Sequence, residues 1–494
     1  MNPLKQLAGQ TAVYGLSSVF ARLLNFLLVP FYTRILTDTA EYGIVNELYA
    51  YVAFIIVILT YGMETAFFRF SSKTDNPKIV YSTALTSVTA TSFIFLAVII
   101  LFYNDIASIM GYGNNSSFVL LLGLVLGADA LSSIPFARLR HQGRAVRFAL
   151  IKLFNVCVNV FFNIFFLAFL PWICSLGYSG WFIDLVYDPS FSVGYVFVSN
   201  LIASSLTLCL FIKEILKIRF GFSAAILRSM LVYAFPLLIS GLAGTVNEFF
   251  DRILLRYRLP ENVNVLEQIG IYGANVKIAV LMILFIQMFR YAFEPFIFSQ
   301  EKNKSGKRLY ADVLYYFTIA GVFVFLVITL YIDIFKQIID TRYHEGVAVV
   351  PIILYGNLLL GIYFNLSVWY KLKDKTVYGA IFALCGALVT ITINWVFIPF
   401  YGYMASAWGH LFAYLVMVLV SYFIGRRYYP VPYKVSAILG YLGAGAVLFI
   451  ISQVVKFDGV FVQYAVNTVI LAIFTAFVAY REHQFLRNLF KSDQ

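Results

Sequence analysis

Charge is what this chain has least of: Asp, Glu, Lys and Arg make up 12% of its 494 residues, against 61% hydrophobic ones. Cysteine is scarce too, and Cys157, Cys174, Cys209 and Cys385 show no paired spacing, which argues against a disulfide framework or a thiolate metal site. The four histidines, His141, His344, His410 and His483, are equally scattered and lack metal-ligand spacing. His410 falls in an apolar segment and reads as an interhelical hydrogen-bond donor. No Gly-rich loop ending in Gly-Lys-Ser/Thr is present, and no polar stretch is large enough for a nucleotide domain, which argues against direct ATP use. A charged catalytic constellation has nowhere to sit, so the chain does not read as an enzyme.

What fills the gaps is hydrocarbon. Runs of 26 uncharged residues between Lys78 and Asp105, 23 between Asp105 and Asp129, 24 between Asp188 and Lys213 and 25 between Glu345 and Lys371 each exceed the roughly 20 residues that cross a bilayer. The 50 uncharged residues from Thr376 to Gly425 are divided by Pro399-Phe400-Tyr401-Gly402, a turn signal that makes them two spans. The sequence predicts fourteen spans: 11-31, 43-66, 82-103, 117-137, 146-170, 193-212, 229-250, 270-290, 310-332, 347-367, 377-397, 402-423, 436-454 and 460-480. The first carries Arg22 and lacks a small-residue cleavage pattern, so it reads as a retained helix and not a signal peptide.

Basic residues alternate from loop to loop. Lys5 precedes the first span, and basic loops follow at Arg69/Lys73/Lys78, Arg138/Arg140/Arg144/Arg147/Lys152, Lys213/Lys217/Arg219/Arg228, Lys302/Lys304/Lys307/Arg308, Lys371/Lys373/Lys375 and Arg426/Arg427/Lys434, with Arg481, Arg487 and Lys491 in the tail. These hold 26 of the 36 basic residues, whereas loops 104-116, 171-192 and 398-401 hold none. The positive-inside rule then places both termini in the cytoplasm and makes the span count even. The net charge of +12 lies mostly beside the membrane, where anionic lipid is its partner, and implies no nucleic acid.

Two interruptions organise the spans. The basic stretch 213-228, with Phe220, Phe222, Ala225, Ile226 and Leu227 among its charges, reads as a cytoplasmic linker with amphipathic character. It separates an N-terminal lobe, 1-212, from a C-terminal lobe, 229-425, and residues 426-494 add spans 13 and 14 with a cytoplasmic tail. Asp251 to Gln268 breaks the charge rule with Arg252, Arg256 and Arg258. Either span seven runs past the bilayer as a helix with its own partners, or these arginines face a cavity.

A charge in the middle of a span costs about 2.5 kcal/mol or more to insert, so it faces protein or water. Span one has Arg22, span two ends with Glu64, span four has Asp129, span seven ends with Glu248, Asp251 and Arg252, and span eight carries Lys277 and Arg290 with Glu294 one turn later. Arg290 and Glu294, like Glu248 and Arg252, are spaced i,i+4 and can neutralise each other. Arg22 and Lys277 have no opposite charge within one turn, so each pairs across helices, with Asp129 or Glu64 for example, or meets an anionic substrate. Arg22, about 15 Å along its helix from Thr11 or Ala12, is too deep for a loop anchor. Tyr257, Tyr272, Tyr291 and Trp408 are candidates for stacking on sugar rings, although packing is the commoner use of such residues. Gly123 and Gly127, and Gly440, Gly443 and Gly445, mark faces for close helix contact.

The run Asn25-Phe-Leu-Leu-Val-Pro30-Phe-Tyr-Thr33-Arg34-Ile-Leu-Thr, then Glu41-Tyr42-Gly43 and Gly62-Met-Glu-Thr-Ala66-Phe-Phe-Arg69-Phe, resembles the opening of the bacterial polysaccharide-transporter family. Tyr233-Ala-Phe-Pro236-Leu-Leu-Ile-Ser-Gly241, then Asp251-Arg252 and Gly270-Ile-Tyr272 with Lys277, is similar to the start of its second lobe. The family includes O-antigen flippases and belongs to a superfamily with multidrug extruders and lipid II flippases. The resemblance implies an all-α polytopic membrane protein of 14 transmembrane helices, in two six-helix lobes related by a pseudo-twofold axis plus two C-terminal helices. It implies alternating access in a bacterial inner membrane, with a prenyl-diphosphate-linked oligosaccharide, an O-antigen or capsular repeat unit, as substrate. By that likeness Arg22, Lys277, Arg290 and Arg252 are candidate substrate-binding residues. Glu64, Asp129, Asp251 and Glu294 are candidates for ion coupling or structural pairing, and Arg34, Arg69, Gly43 and Pro236 for gating or bracing. No organic cofactor is implied, and the coupling ion would be H+ or Na+. Anionic lipids, a polysaccharide polymerase and glycosyltransferases are the expected partners of a monomer. An ion-coupled drug or organic-cation antiporter, a lipid II flippase and a non-transporting scaffold for glycan assembly stay open as alternatives.

Overall fold

In hydrocarbon every backbone N–H and C=O needs a partner within the protein, which leaves the helix as the way for a charge-free run of this length to cross. The computed structural model describes residues 3–74, 76–178, 180–216, 221–299, 306–373, 375–457 and 459–483, and it is all-α. Among the described residues thirteen helical stretches are long and apolar enough to cross a membrane. The first expected span lies in a further 33-residue helix, α1 (Pro3–Ile35). Lys302, Lys304, Lys217, Arg219, Arg487 and Lys491 lie outside the described residues.

The chain forms two compact units, one of Met1–Ala274 with Thr390–Tyr403 and one of Asn275–Val389 with Met404–Gln494. The division falls at residue 274 and not at the 213-228 linker. In the first unit α1 is followed by α2 (Thr39–Thr60), α3 (Met63–Ser71), α4 (Pro77–Ile109), α5 (Ser117–His141), α6 (Ala145–Ile164), α7 (Leu170–Ser175), α8 (Trp181–Val186), α9 (Gly194–Leu216) and α10 (Ala224–Arg258), and α11 (Val265–Ser299) begins there. The core is made where α4 packs on α5, α5 on α9, α1 on α6, α6 on α9 and α2 on α10.

Several boundaries move for identifiable reasons. The second span runs to Ser71 with a break at Tyr61 and Gly62, whose φ angles are 32° and 70°. A Cβ on Gly62 would sit 3.0 Å from the Ala234 carbonyl oxygen, so close approach of α10 and the left-handed φ both demand glycine. Pro236 lies two residues on, inside α10. The basic loop expected over 138–152 shrinks to residues 142–144: Arg138 and Arg140 end α5, and Arg147 and Lys152 lie inside α6. Cations in the last turn of α5 also suit the helix dipole. Span five carries a π-helical turn at Phe165–Phe169, just before Pro171, which supplies no N–H to the ladder. The expected amphipathic linker dissolves among its described residues, because 213–216 continue α9 and 224–228 open α10 behind the N-cap Ser223.

The turn signal Pro399-Phe400-Tyr401-Gly402 narrows to its last residue, since Pro399, Phe400 and Tyr401 stay helical. α16 (Val377–Tyr401) ends and α17 (Tyr403–Tyr428) begins around Gly402 at φ 55°. The second unit also contains α12 (Gly306–Leu330), α13 (Ile332–Phe335), α14 (Val349–Leu366), α15 (Val368–Leu372), α18 (Val435–Val454) and α19 (Val460–Arg481). Within it α12 packs on α14, α18 and α19. Gly445 lets α18 approach α12, since its Cβ would meet Val322 at 2.7 Å, but Gly440 and Gly443 have nothing within 4 Å. The expected three-glycine contact face therefore reduces to one residue. Gly123 and Gly127 do admit α4, with Ile99 and Leu96 at 2.5 and 2.7 Å from the missing Cβ atoms.

The closest approach in the first unit is between α2 and the start of α11. A Cβ on Gly43 would lie 1.9 Å from the Leu266 carbonyl oxygen, and one on Gly270 would lie 2.0 Å from that of Thr39. Backbone cannot swing aside as a side chain can, so Gly43→Val must part the helices, at a typical overpacking cost of about 1–3 kcal/mol or more. We expect a melting temperature several degrees lower in detergent; an unchanged value would show that these backbones do not touch.

Candidate functional site

Arg22 sits near the middle of α1 and is exposed. With about 100° of rotation per residue, it shares a line along the helix with Val29 and Thr33, which are 4% and 0% exposed. The exposed apolar residues Phe20 and Leu27 lie about 140–160° away by the same rotation. Arg22 is thus on the side that packs against protein further along, and it has no ion-pair partner among the described residues. Glu64, one partner the sequence suggests for it, is engaged instead by Arg140, Nη2 to Oε2 at 2.6 Å.

Opposite α1, α6 presents Lys152, Asn155, Asn159 and Asn163 within about 80° of arc. The exposed apolar residues Leu150, Phe154 and Phe161 occupy its other side. Asn155 donates to Thr207 Oγ1 of α9 at 3.0 Å. Tyr32 of α1 donates to Asn163 Oδ1 at 2.8 Å, and Asn163 donates to Asn159 Oδ1 at 3.0 Å. Asn200 of α9 donates to the Tyr49 hydroxyl of α2 at 2.9 Å. Asp129 of α5 is exposed, yet it is hydrogen-bonded by Ser204 and attracted by Lys152, which is exposed as well. Asp129 and Lys152 thus place exposed, opposite charges on the adjoining helices α5 and α6. Arg147 of α6 pairs with Glu214 of α9.

The arginines of 251–268 resolve differently. α10 has 35 residues, about 50 Å at 1.5 Å per residue, which exceeds the roughly 30 Å hydrocarbon core. Each arginine on its last turns finds its own partner. Arg252, 5% exposed, places Nη1 3.0 Å from Asp251 Oδ1 and 2.8 Å from the Glu248 carbonyl oxygen. Tyr272 donates to the other Asp251 oxygen at 2.5 Å. Arg256 Nε lies 3.7 Å from Oε1 of the fully buried Glu47, whose Oε2 accepts from Tyr112 at 2.6 Å. Burial and the Glu47 carboxylate push the Tyr112 hydroxyl well above its ordinary pKa, so it stays a donor. Arg258 donates to the Trp395 carbonyl at 3.1 Å, its guanidinium 4.5 Å over that ring. Arg252 and Asp251 therefore form a buried bracing pair, and the sequence reading missed Glu47, the carboxylate at the centre of the second cluster.

The remaining candidates disperse. Arg34 donates to the Pro30 carbonyl at 3.0 Å, and Arg69 lies 4.2 Å over the Tyr233 ring. Tyr272 is buried, Tyr257 bonds the Tyr51 hydroxyl at 3.1 Å, and Trp408 stacks on Phe412. In the second unit Lys277 is half-buried, and Arg290 lies 4.1 Å over the Phe364 ring. The Glu294 side chain lies outside the described residues. His410 is a helix-to-helix polar contact, Nε2 to Asn357 Oδ1 at 3.0 Å, while Asn357 donates to the Ala279 carbonyl at 3.1 Å. Two adjoining cavities of about 460 and 580 Å³ share Phe285, Tyr316 and Ala320. Their lining is mostly apolar and suits an apolar guest rather than an anion. Among the described residues no group of three or more His, Cys, Asp or Glu is placed to hold a metal ion.

A family model described as "Polysaccharide biosynthesis protein" matches residues 7–298. No curated protein sequence matches the chain. Among solved structures, "Lipid II flippase MurJ, inward closed conformation" is similar, with a TM-score of 0.71 and 15% identity over 96% of this chain and 100% of that one. An "inward-facing conformation of a multidrug resistance MATE family transporter of the MOP superfamily" gives 0.62 and 15% over 87% and 96%. An outward-facing conformation described in the same terms gives 0.61 and 13% over 89% and 99%. At these identities the likeness is one of fold.

Proposed function

Because this chain belongs to the polysaccharide biosynthesis protein family, we propose that it carries a prenyl-diphosphate-linked saccharide from the inner to the outer leaflet of a bacterial inner membrane. With that family and fold the chain is a multi-pass membrane transporter and not an enzyme. The observation that carries the substrate is Arg22, an exposed guanidinium on the protein-facing side of a helix that has no other charge between Lys5 and Arg34. A diphosphate cannot enter hydrocarbon without replacing its lost hydration, and a guanidinium offers a two-pronged match to phosphate oxygens. In this reading α1 is a fourteenth crossing, both termini are cytoplasmic, and spans 1–6 and 7–12 form lobes that alternate in access. Asp129 is the candidate for coupling to H+ or Na+, since Glu64 is already held by Arg140.

The saccharide itself admits two readings. The family description, polysaccharide biosynthesis, supports an oligosaccharide repeat unit, which we read as one of O-antigen or capsule, and the fold likeness to a lipid II flippase supports lipid II. An organic-cation antiporter fits less well, because Glu64 and Glu47 each already face a cation.

Accessibility tests whether a polar recess opens beside Arg22. In a cysteine-free background, a cysteine at Asn25, on the Arg22 side of α1, should react with a membrane-impermeant thiol reagent from one side of the membrane. One at Leu27 should stay inert; equal reactivity at both would remove the recess. Topology is a separate expectation: reporters active only in the cytoplasm should work after Lys78, Gly143, Lys304 and Lys373 and fail at Gly113 and Asp184. Two consecutive loops on one side would break the fourteen-span arrangement.

A further inference from the structure

Asparagines at i, i+4 and i+8 draw one polar line down α6, and Lys152 begins it one turn earlier. Asparagine in a membrane helix is most often glue between helices, and two of the three act that way, Asn155 on Thr207 of α9 and Asn163 on Tyr32 of α1. Asn159 does not. Its hydrogen bonds come from Asn163 of its own helix, to its carbonyl oxygen at 2.8 Å and its Oδ1 at 3.0 Å. It is half-buried on the face opposite Leu150, Phe154 and Phe161. An amide placed there without a helix partner costs free energy unless something polar meets it.

We propose that this line of amides on α6, centred on Asn159 and joined by the Tyr49–Asn200 pair of α2 and α9, reads the uncharged sugar units of the transported lipid. The proposal rests on the transport reading above and adds the part of the substrate that the first unit recognises. A sugar hydroxyl donates and accepts at once, and a carboxamide offers one group of each kind. Asp129 and Lys152 carry opposite charges on adjoining helices and attract each other, so together they offer a second anion little net charge. Asn163, itself fixed by the bond from Tyr32, holds the Asn159 amide oxygen, and Tyr49 adds a ring whose hydroxyl is already oriented by Asn200. The diphosphate at Arg22 and the sugars along α6 would thus be held by different chemistry on neighbouring helices.

The test uses the full chain in proteoliposomes with two probe lipids, prenyl diphosphate carrying an uncharged trisaccharide and prenyl diphosphate carrying a single sugar. Asn159→Leu should slow the trisaccharide lipid at least tenfold and the single-sugar lipid less than twofold, with the melting temperature unchanged. Asn159→Gln, which keeps the amide, should restore most of the trisaccharide rate. Asn159→Ser gives the same comparison should the leucine variant fail to fold. Trisaccharide transport at the native rate in Asn159→Leu, or an equal fall for both lipids, would overturn the sugar assignment. A native protein that moves neither lipid would overturn the transport reading, and this proposal with it.

Discussion

Replacing Arg22 with alanine is expected to slow translocation of a prenyl-diphosphate saccharide by about ten- to a hundredfold, with membrane insertion and melting temperature unchanged. The magnitude follows from the about 1.5–3 kcal/mol that a hydrogen bond to a charged group contributes, taken as lost transition-state stabilisation. Stability should not move, because Arg22 is exposed and has no ion pair among the described residues to lose. Arg22→Lys should keep part of the rate, since an ammonium retains the charge but not the planar fork. Arg22→Glu should be at least as inactive as alanine. Transport by the alanine variant at the native rate would reduce Arg22 to a packing residue.

The second large effect is on folding. Asp251→Ala would leave the Arg252 guanidinium buried with its 3.0 Å carboxylate partner gone and the Tyr272 hydroxyl without its acceptor. Stranding one member of a buried pair costs about 3–5 kcal/mol, enough to lose most folded protein from detergent extracts. Exchanging both for apolar residues, as in Asp251→Leu with Arg252→Met, should recover much of that loss, because the desolvation cost of both charges disappears with them. A stable Asp251→Ala protein would mean the pair is not buried in the native membrane state. The contrast with Arg22 is diagnostic: one arginine should matter to transport without mattering to stability, the other mainly to stability.

The helices were legible because each rests on a local physical constraint. Charge-free runs of bilayer length have few alternatives to helix, and Gly402 marks its turn because the left-handed φ there suits glycine. The break at Tyr61–Gly62 was not legible as such, because it depends on α10 bringing the Ala234 carbonyl oxygen within 3.0 Å of where a Gly62 Cβ would sit, a long-range fact. The site was less legible. Reading by charge singled out Arg22, Asp129 and Arg252 alike, and the structure gives Arg252 its own chain neighbour as partner. The same reading passed over Glu47, although a carboxylate inside the span 43-66 was visible. The asparagine line was present as Asn155, Asn159 and Asn163 at spacing four, a signal in letters that carry no charge. Which of those amides are spent on other helices needed the structure. Gly440 and Gly443 show the converse, since small residues permit contact without requiring it.

Reconstitution of the purified full chain with a labelled prenyl-diphosphate oligosaccharide, followed as label crosses from one leaflet to the other, tests the central assignment most directly. The expected result is saturable movement that disappears when the diphosphate is absent from the lipid and falls at least tenfold in Arg22→Ala. No movement by the native protein, or export of an organic cation that is indifferent to Arg22, would contradict it.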